Sequence, residues 1–470
     1  MVTRKAARKS RGKKTGEGGE AGVVLSAVPP AEITGEGGGV ETTGRFIVVF
    51  KKEASASKAM ILSTLNQVAG LREVASSSDY EGGAIEAKDL AESEVVQFDN
   101  LGIALISGEE SVQALAASAA DADSPILAIE PEYIAYPSGT LPGELPLEYL
   151  RGYKDAVNQL YDQLSSRTGA VAGEDAEISA TFQDTSQFTW GLQATRVSTS
   201  QRNGQGIKVA VLDTGLDFQH PDFRGRAIVS RSFSGFPVQD IHGHGTHCIG
   251  TACGPQRPAS GVRRYGVAFA SQIFVGKVFN HAQPRPQAPT GIVAAGIEWA
   301  ISNGCQVVSL SIEVPINQQL MQYEESIRRA LNAGTLVVAA AGNNANRPSN
   351  PGFVTPPANA DASMAVAALD SQLQIARFSA RSSQLTGVGG RVNIAGPGVA
   401  VFSSVPVSQG LHALFDGTSM ATPHVAGIAA LWSQATGESG AALWSRLLQS
   451  ARPLSLSSVD VGSGLVQAPQ

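Results

Sequence analysis

A chain of 470 residues has room for two or three folded units and a sizeable buried core, so it is no small scaffold held together by staples. Charged residues make up 16% of it, below the roughly 25% usual for soluble domains, and the net charge of −6 argues against a general nucleic-acid binder. Cys248, Cys253 and Cys305 cannot build a disulfide framework. The basic head from Arg4 to Lys14 is not followed by an apolar run of signal-peptide length, and no stretch approaches the ~20 apolar residues that span a bilayer. A soluble, cytoplasmic protein with no nucleic-acid or membrane partner is the expectation.

Residues 1–43 are rich in Gly, Lys and Glu and lack periodicity, which predicts a disordered tail. The run Arg45-Phe-Ile-Val-Val-Phe50 predicts a strand, residues 56–71 a helix, Leu101 to Ile106 a second strand and Ile126 to Ile134 a third. Residues 44–137 therefore read as a small α+β unit. Leu150, Tyr153, Val157, Leu160 and Leu164 recur at helical spacing, so 138–185 is expected to hold one amphipathic helix and an exposed linker. From 186 to 470, apolar runs at Ile207–Leu212, Ile273–Val278, Val307–Leu310 and Thr335–Ala339 alternate with helical patterns such as 291–303 and 319–333. That alternation predicts an α/β domain, a parallel sheet covered by helices on both faces, with its site at the carboxyl ends of the strands.

Three segments carry chemistry. They are Val211-Leu-Asp213-Thr-Gly215, His244-Gly-Thr-His247 and Gly417-Thr-Ser419-Met-Ala-Thr-Pro423, with Ala340-Ala-Gly342-Asn343 between the last two. A serine hydroxyl is a poor nucleophile at neutral pH; it needs a base in reach, and the base needs a third group to fix its tautomer. Ser419, His244 and Asp213 suit those roles. A zinc reading of His242, His244 and His247 lacks a downstream carboxylate signature and is set aside.

On these four motifs the region from about 186 to 468 resembles the subtilisin-like serine peptidases, most closely their proteinase K-like branch, some members of which also carry a cysteine at the position of Cys248. The resemblance implies that His244 is the general base, Asp213 its holder, Ser419 the nucleophile at a helix N-terminus and Asn343 the oxyanion donor. It further implies that Ser309, Ser311, Ile312 and Glu313 form a substrate-binding strand, and that Ala340, Gly342 and Val354 line an apolar P1 pocket. Ser311 and Ile312 stand where the family usually has glycines, and Glu313, which follows them directly, is expected to narrow the cleft or favour a basic side chain. Because the loop from Cys253 to Arg264 carries no carboxylate although Asp222 is kept, no cofactor is required and at most weak calcium binding is expected.

Residues 44–137 resemble the family's inhibitory propeptide through Phe46–Phe50 and Ile129-Glu-Pro-Glu-Tyr-Ile-Ala-Tyr136. Together these readings predict an autoinhibited, self-processing zymogen of a selective intracellular protease, acting on protein or peptide substrates with its own propeptide bound in cis. The rival is a catalytically silent peptide-binding module with a permanently docked prodomain.

Overall fold

The computed structural model describes residues 40–52, 58–121, 123–138, 181–282, 285–383 and 390–470. Most of the basic tail, the helix expected at 150–164 and most of the linker lie outside the described residues.

The N-terminal unit runs β1 (Thr42–Phe50), α1 (Lys58–Ala69), β2 (Val74–Ser76), α2 (Ala87–Glu92), β3 (Val95–Phe98), β4 (Ile103–Ile106), α3 (Glu109–Ala119) and β5 (Ile126–Pro137). Its strands lie in the order β5-β1-β4-β3-β2. Successive side chains of a strand point to opposite faces. Val48 and Phe50 accordingly pack with Ile61, Leu65 and Leu115 of α1 and α3, while Ile47 and Val49 join a core shared with Ile292 and Trp299 of the larger unit. Both faces of this sheet are thus apolar, one covered by its own helices and the other by the rest of the chain. The structure begins β1 three residues before Arg45 and adds β2 and β3, which at three and four residues are too short to show a period.

The larger unit runs α4 (Trp190–Ala194), β6 (Lys208–Asp213), β7 (Ile228–Ser232), α5 (His244–Cys253), β8 (Gln272–Lys277), β9 (Ala288–Pro289), α6 (Thr290–Ser302), β10 (Val307–Leu310) and β11 (Ile312–Glu313). It continues through α7 (Met321–Asn332), β12 (Leu336–Ala340), β13 (Met364–Leu369), β14 (Ile394–Pro397), β15 (Val401–Ser404), β16 (His412–Phe415), α8 (Thr418–Thr436), α9 (Gly440–Ser450) and α10 (Ser458–Val461). Seven parallel strands lie in the order β14-β13-β12-β10-β6-β8-β7. This is the expected α/β sheet. Its strands are near-continuous apolar runs because both faces are covered; Val209, Val307, Val338 and Val366 are all fully buried. The helix α8 is apolar around most of its circumference and is buried from Thr418 to Leu431.

From β6 the chain runs out to β7 at the edge, back to β8 beside β6, and then to β10 on the other side of β6, so the order reverses beside β6. Ligands of such sheets sit outside the carboxyl ends of strands at that reversal. Asp213 is the last residue of β6, and Ser311 and Asn343 closely follow β10 and β12.

Candidate active site

Asp213 is held at its strand end by an N–H···O bond from Thr214 to Oδ1, 2.7 Å long. The Thr214 hydroxyl in turn accepts from the Gly245 N–H at 2.8 Å, tying the β6 loop to the first turn of α5. Gly245 has to be glycine there, because a Cβ would lie 2.4 Å from the Gly215 carbonyl oxygen. This close approach brings His244, the first residue of α5, to Asp213: Nδ1 lies 2.8 Å from Oδ1 and 3.0 Å from Oδ2. Burial opposes charge on the imidazole, but the adjoining Asp213 carboxylate outweighs it and raises the His244 pKa well above the usual value. A histidine in that setting is built to hold a proton taken from a neighbour.

Ser419 is the second residue of α8, entered through Gly417. Its hydroxyl donates to the Ser311 carbonyl at 3.5 Å, while the Ser311 hydroxyl donates to the Ser419 carbonyl at 2.9 Å. His244 Nε2 is buried and has no hydrogen-bond partner among the described residues. Ser419 and His244 thus lie against Cys248 and Ser311 in one buried cluster, with no hydrogen bond between their side chains. Cys248, one turn after His244, lies against the cluster with Sγ 3.5 Å from the Ser311 hydroxyl oxygen and 3.9 Å from His244 Nδ1; burial pushes its thiol pKa up.

Asn343 accepts at Oδ1 from the Thr418 N–H at 2.9 Å and from its hydroxyl at 3.1 Å. A backbone N–H can only donate, so this bond fixes the amide's orientation and turns Nδ2 into the cleft. There Nδ2 donates to the Ser138 hydroxyl at 3.0 Å.

The cleft is filled by the end of β5. It pairs antiparallel with β11, Pro137 opposite Ile312 and Tyr136 opposite Glu313, and on its other side with β9, Ala135 opposite Ala288. Ser138 extends the ladder by donating its N–H to the Ser311 carbonyl at 3.0 Å. Of the expected substrate strand, Ser311, Ile312 and Glu313 face this tail. Ser309 does not: it sits inside the parallel sheet opposite Val211 and Val338, its hydroxyl without a partner among the described residues. The motif match places the receiving strand two residues too early, because Ser-Leu-Ser-Ile contains two serines, one inside β10 and one in the gap between β10 and β11. Ala340 closes β12, Gly342 donates its N–H to the Thr418 hydroxyl at 3.3 Å, and Val354 is fully buried in the core; none of the three hydrogen-bonds the described residues of the tail.

Three carboxylates that the sequence reading missed hold the two units together. Glu130 accepts from the N–H groups of Met321 and Gln322 at 2.7 and 2.9 Å, at the start of α7. Glu132 accepts from the Gly291 N–H at 3.1 Å, at the start of α6, and pairs with Arg45 at 2.7 Å. Glu298 of α6 accepts from Asn100 N–H, 3.1 Å, and from the Ser77 hydroxyl, 2.6 Å. Helix N-termini attract anions, and two residues along a strand share one face. The signal was a Glu-Pro-Glu in an otherwise apolar strand. Burial raises Glu130 and Glu298 to about 7.

Among the described residues, two clusters could offer metal-ligand atoms, Asp213 with His244 and Cys248, and Asp222 with His220 and His412. Asp222 already accepts from the Tyr265 hydroxyl at 2.7 Å, the Ser260 N–H at 2.9 Å and the Ser260 hydroxyl at 3.0 Å, with His412 Nε2 at 3.2 Å. The loop that lacks carboxylates thus answers Asp222 with donors. His247 is used structurally, its Nε2 2.9 Å from the Val401 carbonyl and its ring stacked on Phe415.

Residues 204–464 match the profile of the Subtilase family. The chain is 36% identical over 299 residues to M-protease of Shouchella clausii (strain KSM-K16), covering 63% of this chain and 72% of that one. It is 36% identical over 283 residues to Subtilisin Savinase of Lederbergia lenta, 59% of this chain and 96% of that one. A third relative, the Intracellular serine protease of Paenibacillus polymyxa, is 32% identical over 279 residues, 57% and 80% of the two chains. No helix among the described residues is long and apolar enough to cross a membrane. With matched sequence over most of the larger unit, and an Asp, a His and a Ser gathered at the carboxyl ends of its sheet, the chain belongs to the subtilase family and is a subtilisin-like serine endopeptidase.

Proposed function

We propose that Ser419, His244 and Asp213 act as nucleophile, general base and holder of the base, that Asn343 Nδ2 stabilises the oxyanion, and that residues 42–138 inhibit the enzyme in cis until a cut follows Ser138. The observation that carries this reading is the Ser138 N–H bond to the Ser311 carbonyl, with β5 entering as the middle strand between β9 and β11. Added strands are the way an extended peptide binds through its backbone. Ser419 Oγ would attack the carbonyl carbon of the bound residue while His244 takes the hydroxyl proton and delivers it to the departing amine; water then hydrolyses the acyl-enzyme.

A selective intracellular processing role is part of the proposal. Three buried free thiols suit a reducing compartment, and one relative is itself named an intracellular protease. A place in the proteinase K-like branch, resting on Cys248, and a capacity for no more than weak calcium binding complete the reading.

The unmade bond at His244 Nε2 favours a second reading, a silent module whose cleft stays filled. Intact mass of the full chain beside Ser419→Ala, followed for hours at neutral pH with a serine-directed fluorophosphonate present, separates the two. Loss of residues 1–138 and labelling of Ser419, both in the wild type alone, are expected. An unlabelled, uncut chain that stays unlabelled after the N-terminal unit is digested away would leave the silent module.

A further inference from the structure

Two serines share one acceptor in the cleft. The Ser311 carbonyl takes the Ser138 N–H at 3.0 Å and the Ser419 hydroxyl at 3.5 Å. Ser138 is thus the tail residue beside the nucleophile, and its side chain occupies the position that a substrate offers on the acyl side of the cut bond, P1.

That side chain is fully buried in polar company. Its hydroxyl donates to Glu313 Oε2 at 3.2 Å, accepts from Asn343 Nδ2 at 3.0 Å and lies 3.4 Å from the Thr418 hydroxyl. Burial raises the Glu313 carboxyl above its usual range, opposed by the Ser138 hydroxyl and the Asn343 N–H. A carboxyl removed from water needs donors; a P1 side chain without a hydroxyl leaves it with the Asn343 N–H but one donor short, which costs more than an ordinary bond contributes. The expectation of an apolar P1 side chain took Ala340, Gly342 and Val354 as the walls. The group that meets the P1 side chain is Glu313 instead.

We propose that Glu313 makes this enzyme selective for a short hydroxyl at P1, so that it cleaves after serine and first of all after its own Ser138. The inference rests on the reading of the tail as a bound product-like segment. In the step, Ser419 Oγ bonds to the Ser138 carbonyl carbon, and the bond from that carbon to the nitrogen of Gly139 breaks. That nitrogen takes the hydroxyl proton through His244. Water supplies hydroxide to the acyl carbon and returns a proton to Ser419 Oγ. The products are residues 1–138 with a carboxylate end and a chain beginning at Gly139. A site that hydrogen-bonds a substrate group rejects the analogue lacking it far more strongly than an apolar pocket rejects a missing methylene.

The test uses the full chain and reads the rate at which the 1–138 fragment appears by intact mass. Ser138→Ala, Ser138→Thr, Ser138→Phe and Ser138→Lys are each made with Glu313 and with Glu313→Ala. With Glu313 present, Ser138→Ala slows release about 10- to 100-fold, the range for a lost bond to a charged group. Ser138→Thr stays within a few-fold of wild type, and Ser138→Phe is slower still. In Glu313→Ala the alanine penalty shrinks to a few-fold and phenylalanine becomes the better residue.

Because Ser138 changes also alter how the tail docks, the processed wild-type enzyme is given the peptides Ala-Tyr-Pro-Ser and Ala-Tyr-Pro-Ala on a fluorogenic amide. A preference for serine in kcat/KM, absent in processed Glu313→Ala, is expected. Equal rates for serine and alanine, a lysine faster than serine, or the same serine preference without Glu313 would each overturn the proposal. Failure of the catalytic reading has a separate signature, no fragment and no fluorophosphonate labelling from any variant, wild type included, and it would take this inference with it.

Discussion

The two seven-stranded sheets use their edges differently. Every strand of the parallel sheet finds its neighbours between β6 and β14, whereas β5 pairs with β1 over its first part and with β9 and β11 over its last residues. The parallel sheet places each of these groups at the end of an element: Asp213 ends β6, His244 starts α5 and Ser419 is the second residue of α8. The other sheet places Ser138, Glu130 and Glu132 by register alone. A one-residue slip of β5 would exchange its faces and move both glutamates away from the helices they cap. On the proposed function, catalysis is built into one unit and restraint is spread across two, so each should be breakable without the other.

The sharpest separation comes from Ser419→Ala. Turnover of a peptide should fall on the order of 10⁶-fold, His244→Ala should fall nearly as far, and the double variant should be no worse, because the groups act as one unit. Docking of β5 should survive, seen as unchanged amide protection in that strand. On its proposed role, in which Nδ2 meets charge that develops during reaction, Asn343→Ala should cost about 10²- to 10³-fold in kcat, with a smaller change in KM. A loss confined to KM would place Asn343 with the substrate contacts instead.

The same division explains what the sequence made legible. The triad and Asn343 lie in short contiguous motifs, because a strand end or a helix start fixes each one locally, and the four apolar runs of the parallel sheet read as strands because both of their faces are covered. The cleft is a meeting of segments far apart in the chain. Which serine of Ser309-Leu-Ser311 faces the tail depends on where β10 stops, and the role of Glu313 depends on Ser138, 175 positions upstream. Glu130 and Glu132 resemble solvated charges until α6 and α7 are set against them, and Glu298, in the middle of α6, gives no sign of its partners Ser77 and Asn100. The strands β7, β13, β14, β15 and β16 also went unread, having no distinct periodic signature of their own.

Restraint should yield to smaller changes. Glu132→Ala leaves the Arg45 guanidinium and the Gly291 N–H without their acceptor. In full-length Ser419→Ala, where no cut can follow, it should speed opening of β5 at least about tenfold by hydrogen exchange. Asp213, His244 and Asn343 should be untouched, since they do not contact Glu132.

Acidity should act on the same seam with a definite sign. Glu130 and Glu298 stand near 7 when docked, raised by burial from an ordinary value of 4.5, and the Asp99 charge adds to the rise at Glu298. Undocking returns both to water and to ordinary values, so the docked form binds more protons. Their contribution to docking is fully present below about 4.5 and is lost as pH rises toward about 7. Opening of β5 in the Ser419→Ala chain, corrected for the intrinsic rate of amide exchange, should therefore increase about tenfold or more between pH 5.5 and 7.5. The double variant Glu130→Gln, Glu298→Gln should remove most of that dependence, because a neutral amide has no proton to lose. A steeper opening toward acid would mean that the helix N-termini hold these carboxylates ionised, and that attraction to the helix ends outweighs the cost of taking them out of water.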